Sequence, residues 1–352
     1  ALVLAGLTAG ELACSSSKPK PQPPPPKPAL EGLAALLPEG DPPLRRDEPE
    51  WVRGEGMAGF LGEVAPPLVA CGIQEAARAR YGMGSGVELV VVLLGFADPD
   101  GARCAFDLDR KEEPRGIRGV DPPALSDDRP LPGDTARVRL LVLKGSRLGW
   151  IYAPREVEPT AHAHALAAQV ARALPADGEA VLARLSPDVF MVPGTARVVA
   201  GAPVRGLSGL AVVSRHECQD GVQVTALVMR LADEKAASTA SEAVQSAAME
   251  DFLTVSPFRL GDAVVLSLLD VETHRESLVI RRGRMVTGVR EMASRRACAQ
   301  LIEALAAIPD PRPDPPDAGT PDASHDGGDG GLVGTEDGGA EMSDGSAPAP
   351  HG

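Results

Sequence analysis

The segment Gly86 to Phe106, GVELVVVLLGFADPDGARCAF, returns from Gly221 as GVQVTALVMRLADEKAASTAS, 135 residues later. This offset pairs Gly86 with Gly221, Val87 with Val222, Ala97 with Ala232, Asp98 with Asp233, Ala102 with Ala237 and Ala105 with Ala240. A chain that makes one unit twice must fold as two related modules, and each module must tolerate the other as a neighbour. In both copies an apolar, β-branched run long enough for a buried strand ends in Ala-Asp and opens a small-residue helix. Asp98 and Asp233 are expected to cap those helices by accepting from a free amide of the first turn. Pro99 follows Asp98 at a position where a missing N–H costs nothing.

The repeat extends in both directions. Upstream, Ile73 to Tyr81 and Val87 to Phe96 flank the Gly-rich turn GMGSG, and Leu210 to His216 and Val222 to Leu231 flank CQDG. Both read as β-hairpins. Downstream, residues 136–152 predict a hairpin turning at Lys144-Gly145, and SLVIRRGRMVTGV predicts its counterpart turning at Arg282-Gly283, after an apolar run from Ala263 to Leu269. Each copy closes on an amphipathic helix, with Leu166, Val170, Ala173 and Leu174 on one and Cys298, Leu301, Ile302, Leu305 and Ile308 on the other. Residues 29–37 and Gly59 to Cys71 predict short helices, the second interrupted by Pro66-Pro67. Residues 107–134 are charged and Pro-rich and read as a long irregular connection. The fold class is α+β: two tandem copies of a module in which antiparallel hairpins are packed by helices.

Five segments follow: residues 1–14 as an export-signal remnant, 15–30 as a linker, 31–190 and 191–309 as the two modules, and 310–352 as an acidic tail. Aromatics are 3% of the chain, so the core must be built from Ala, Val and Leu. The net charge of -14 is uneven. Residues 310–352 carry ten acids against Arg312, residues 1–30 carry Lys18, Lys20 and Lys27 against Glu11, and the remaining -7 falls on residues 31–309. An acidic middle without a basic stripe argues against nucleic acid as a partner. SSSKPKPQPPPPKP is a polyproline-type spacer, and its residues 18–28 reach about 34 Å. The tail is Asp, Gly, Pro and Ala with too few large apolar side chains to offset chain entropy, and disorder is the expectation. It lacks the Asp spacing of a calcium loop.

The end of the first segment, Leu12-Ala13-Cys14 after an apolar run, resembles the lipobox of bacterial lipoproteins, with Glu11 where that pattern usually has Leu. The resemblance implies lipidation at Cys14 and a membrane tether; ordinary signal cleavage is the other reading. The chain begins without Met or a basic region, so the true N-terminus is expected upstream. The strand Val87–Phe96 leading into Ala97-Asp98-Pro99, the Leu141–Leu148 hairpin and the matching second-copy positions are similar to a family of exported bacterial proteins of unknown function. That likeness covers about residues 31–309 and implies a fold and an extracytoplasmic address, with no catalytic residue.

Cys71, Cys104, Cys218 and Cys298 remain once Cys14 is set aside. Four cysteines allow three pairings; bonds kept within each copy join Cys71 to Cys104 and Cys218 to Cys298, and reduced buried thiols are the competing reading. His162 and His164 form an H-x-H at a helix start, where a spacing of two sends them to different faces, so metal binding is not expected. His216 lies near a hairpin turn. Trp150 and Tyr152 share a strand face and are candidates for a ligand groove, with core packing as the stronger reading. No Ser has a nucleophile-elbow context and no Gly-rich loop has phosphate-loop spacing. The chain therefore reads as a non-enzymatic cell-envelope lipoprotein that binds or scaffolds an envelope protein or small molecule without a cofactor. The alternative is an extracytoplasmic hydrolase with its site between the modules, using His162, His164 or carboxylates near Asp98 and Asp233.

Overall fold

A computed structural model describes residues 31–84, 86–108, 110, 115–117, 125–131, 134–201 and 204–310. Cys14, the Pro-rich linker and all of the acidic tail after Asp310 lie outside these residues. In chain order the first copy contains β1 (Arg45–Arg46), β2 (Glu50–Arg53), α1 (Met57–Leu61), α2 (Ala65–Ala70), β3 (Ile73–Gly82), β4 (Glu88–Phe96), α3 (Pro99–Asp107), β5 (Arg115–Gly116), β6 (Leu125–Leu131), β7 (Asp134–Lys144), β8 (Arg147–Pro154) and α4 (Val157–Ala173). The second contains β9 (Arg197–Ala200), β10 (Leu210–Glu217), β11 (Gln223–Arg230), α5 (Glu234–Glu250), β12 (Thr254–Leu260), β13 (Ala263–Asp270), β14 (Arg275–Arg282), β15 (Met285–Met292) and α6 (Ala299–Ala307).

The two sheets share one topology. Sheet one runs β1-β3-β4-β8-β7-β6-β5, with β2 also on β3, and sheet two runs β9-β10-β11-β15-β14-β13-β12. The strands correspond one by one from β3 and β10 to β5 and β12, and all described pairings are antiparallel. Asp98 and Asp233 cap as expected: each has an extended backbone and accepts from the amide three residues on, Gly101 at 2.8 Å and Ala236 at 2.7 Å.

Two local readings are corrected. Residues 107–134 are not merely an irregular connection, because they supply β5 and β6, the counterparts of β12 and β13. LSDDRPL hides its strand behind charges and Pro130, a residue tolerated near the margin of a sheet. Pro66-Pro67 does not interrupt a helix; it starts α2, where the first-turn amides need no intrahelical partner.

Alternation along the strands creates three apolar layers. Ala77, Leu89, Val91, Val142 and Ile151 of sheet one meet Leu166 and Val170 of α4. Leu227, Met229, Leu266 and Val286 of sheet two meet Ala237, Val244 and Ala248 of α5. The opposite faces of both sheets share one core with α3 and α6, including Val92, Leu141, Phe106, Val228, Ile280, Leu301 and Leu305. The order of layers is α4, sheet one, α3 with α6, sheet two, α5. The copies thus pack front to back: the first turns its mid-module helix inward, the second its closing helix.

Polar contacts fix this arrangement. Asp107, buried at the end of α3, lies 2.9 Å from Arg103 and 3.1 Å from Arg110, and accepts from the Val198 amide of β9 at 2.8 Å. Asp100 accepts from the Leu182 amide at 2.9 Å, which holds the connection between the copies against α3.

Candidate ligand-binding site

The shared topology allows one position to be read twice. The turns Lys144-Gly145 and Arg282-Gly283 correspond, and the ladders leading away from them match Leu141 with Val279, Trp150 with Gly288, and Tyr152 with Arg290. On the neighbouring strand, Val90 opposite Tyr152 matches Thr225 opposite Arg290. The same count places Arg139 with Ser277.

In the first copy this position is filled. Trp150 is only 4% exposed and meets Tyr152 edge-on, with ring centroids 6.4 Å apart. The Arg139 guanidinium lies 5.3 Å from the Trp150 ring centroid, and burial pushes the Tyr152 hydroxyl above its ordinary pKa, against the opposing charge of Arg139. A cavity of 60 Å³ remains beside Trp150, too small for a drug-sized ligand. The aromatic pair is a core plug, and the groove reading for Trp150 and Tyr152 is set aside on that burial.

The second copy has no such plug, and a cavity of 720 Å³ opens there. Leu253 and Leu268 form its apolar wall, and Gln223, Thr225, Asp270, Thr273, Arg275, Ser277, Arg290 and Glu291 supply polar groups; the Val224 side chain turns to the opposite face, into the shared core. Alternation explains the convergence: Thr225, Leu268, Ser277 and Arg290 stand on the α5 face of sheet two, beyond the apolar residues that α5 covers. Gly288 replaces Trp150, and an added Cβ would approach the Leu278 carbonyl oxygen to 2.5 Å.

The ladder is also different. Strands β7 and β8 pair without a break through Arg139 and Tyr152, whereas β14 and β15 shift register between Glu276 and Leu278. Arg290 and Glu291 therefore stand opposite Ser277 as a bulge, a device that re-aims side chains beside binding sites. Glu291 has a left-handed backbone, φ 60°, and its amide donates to Ser277 Oγ at 3.1 Å. Its carbonyl accepts from Arg275 and its carboxylate from Arg290, both at 3.1 Å. Phe252 and His274, next to lining residues Leu253 and Thr273, are also left-handed. Three of the four described non-glycine residues with this costly geometry thus gather at one rim. Asp270 is locally satisfied: bonds from the Thr273 side chain and the Thr273 and Glu272 amides hold its carboxyl below the ordinary range.

The structure also assembles a Ser–His pair that sequence spacing did not reveal. His216 is fully buried; its ring meets the Val189 carbonyl at 2.7 Å and Ser214 Oγ at 2.8 Å, and Ser214 meets Ser186 at 2.7 Å. Nδ1 must donate to the carbonyl, leaving Nε2 to accept from Ser214. Burial lowers the imidazole pKa. With Ser214 at 2% exposure, the pair joins residues 186–191 to β10 and faces no solvent. The signal was available as alternate residues on one strand, but their partner Val189 comes from a loop.

His162 and His164 both lie on α4, half-buried and exposed, and no metal-holding cluster occurs among the described residues. Cys71 is bonded to Cys104 and Cys218 to Cys298, spanning 33 and 80 residues. Two such bridges fit an oxidising, extracytoplasmic compartment. No described helix is long and apolar enough to cross a membrane. Between the copies the structure has a shared apolar core in place of an open cleft. Beside it, a cavity of 570 Å³ is lined by α3, the β7–β8 turn and residues 176–184. Comparison with protein-family models, curated proteins and solved structures finds no match.

Proposed function

We propose that the protein is a non-enzymatic, lipid-anchored envelope module that binds a ligand at the open end of sheet two. The observation that carries this reading is the difference between equivalent positions: the first copy is plugged by Arg139, Trp150 and Tyr152, while the second has Gly288 in place of the tryptophan, and Ser277 and Arg290 line a 720 Å³ cavity. Duplication supplies a scaffold that one copy stabilises by packing and the other opens. The apolar wall contributes contact area, and the bulge supplies polar groups that orient a ligand.

Titration with phenylnaphthylamine, an uncharged fluorescent dye, tests the site. The expected result is saturable one-to-one binding by the wild-type chain, lost in a triple variant carrying Thr225→Val, Ser277→Arg and Arg290→Tyr, which copies Val90, Arg139 and Tyr152. Thermal melting checks that the variant folds, and Arg290→Tyr alone provides a milder filling. Unchanged dye binding in folded variants would remove the cavity from the account. Intact mass after export tests the address: an acyl adduct on Cys14 is expected, and an unmodified Cys14 contradicts the anchor.

The hydrolase alternative now has one specific focus, the Ser214–His216 pair. A fluorophosphonate probe is expected to leave the folded protein unlabelled because both residues are sealed. Stoichiometric labelling of Ser214 would favour the hydrolase.

A further inference from the structure

We infer that the ligand received at the open end of sheet two carries an oxyanion, a carboxylate, sulfonate or phosphate, on an apolar body. This inference rests on the cavity reading above and adds the ligand's chemistry. The polar groups of the site differ in how far they are already committed. Asp270 accepts from the amides of Glu272 and Thr273 at 2.9 and 3.2 Å, and its pairing closes the β13–β14 turn. Glu291 is matched by Arg290 at 3.1 Å. In the adjoining part of the groove, lined by Arg205, Asp251, Leu253 and Leu268, Arg205 already engages Asp251 and Glu250. A cationic ligand would compete with Arg290 for Glu291 and with Arg205 for Asp251, and would meet at Asp270 a carboxylate already accepting from two turn amides.

The donors are committed less fully. Arg275 gives one N–H to the Glu291 carbonyl at 3.1 Å, and a guanidinium has five. Ser277 Oγ accepts from the Glu291 amide, so its own O–H remains to donate. Thr225 and Gln223 add a hydroxyl and an amide NH₂ on β11. Four donors, a guanidinium, two hydroxyls and an amide, thus ring a site whose carboxylates already accept from an arginine or from the turn amides, and Leu253 and Leu268 offer an apolar wall for the rest of the ligand. A planar guanidinium recognises an oxyanion with two N–H groups in parallel. The first copy keeps an arginine at the matching position, Arg137, but there the ladder runs straight and Tyr152 stands where Arg290 stands in the second copy.

The test compares two dyes on the full chain: anilinonaphthalene sulfonate, and phenylnaphthylamine, which has the same rings without the sulfonate. The sulfonate dye is expected to bind about tenfold more tightly, and Arg275→Gln to remove that advantage by weakening the sulfonate dye far more than the neutral one. Arg275 is exposed, so this variant keeps the fold, and a thermal melt verifies it. Raising the salt concentration should weaken the sulfonate dye alone. If both dyes bind alike and both are lost in the triple variant, the cavity reading stands and the anion inference falls. If both dyes persist in the triple variant, the cavity reading falls as well. If the sulfonate advantage survives Arg275→Gln, the guanidinium is not the receptor and the assignment is overturned.

Discussion

Helices α3 and α5 begin on the same Ala-Asp cap and then diverge. The first runs nine residues and lies in the shared middle layer; the second runs seventeen and lies outside sheet two. At equivalent positions Cys104 is bonded to Cys71 while Thr239 is exposed, and Asp107 is buried among arginines while Glu242 faces solvent. The closing helices show the reverse: α4 is outer with seventeen residues, and α6 is inner with nine and tied by Cys298. The local code sets where each helix starts, and the neighbour that covers it sets its length and chemistry. Front-to-back packing makes this asymmetry necessary, because identical modules can present identical faces only if they meet symmetrically.

The largest effects should come from the staples of the inner helices. Cys104→Ser and Cys298→Ser should each destabilise by about 4 kcal/mol, with the 80-residue loop giving slightly the larger loss in urea unfolding. Equal, negligible losses would show that the middle layer does not depend on them. Next, Asp107→Ala leaves Arg110 buried beside a lost carboxylate and should cost about 3 kcal/mol. Its counterpart Glu242→Ala should stay within about 0.5 kcal/mol. Similar losses at the two sites would erase the distinction between inner and outer helices.

A smaller effect separates two buried anchors. Tyr81 and His216 are equivalent, each fully buried and each meeting a backbone carbonyl at 2.7 Å, that of Pro38 or Val189. Burial raises the Tyr81 hydroxyl pKa and lowers that of the His216 imidazole below 6.5. Below that value the unfolded chain takes up a proton that the folded histidine resists, so its stability is fully present above about pH 6.5 and falls as the pH drops. Urea midpoints should therefore fall between about pH 7.5 and about pH 5.5, and His216→Tyr should reduce that fall. An unchanged pH dependence in the variant would remove His216 from the acid response. At the two caps the copies should respond alike: Asp98→Ala and Asp233→Ala should each cost about 1 kcal/mol, since the two caps are geometrically alike. A large difference between them would mean that the inner cap has acquired a second task.

Much of the scaffold was legible because its signals are local. Ala-Asp-Pro, the Gly turns and the apolar periodicity of the closing helices each act within a few residues, and their recurrence revealed the duplication. β6 was not legible because Asp127, Asp128, Arg129 and Pro130 obscure its alternation. Which faces of the copies meet was not legible either, since both faces of each sheet are apolar. The site was harder still. Trp150 and Tyr152 drew attention as rare aromatics, yet they mark the closed end; the open end is made by Gly288, Ser277 and a one-residue bulge, none of which has a compositional signature. Seeing it required the register of four strands.

The most direct test of the account is a methyl NMR titration of the full chain with the anilinonaphthalene sulfonate dye, observing leucine and valine methyls in both copies. Shifts are predicted at Leu253 and Leu268, with Leu141, Leu148 and Val92 around Trp150 unmoved. Shifts centred on Leu141 and Leu148, or none at Leu253 and Leu268 when the dye is bound, would contradict the division into a plugged copy and an open one.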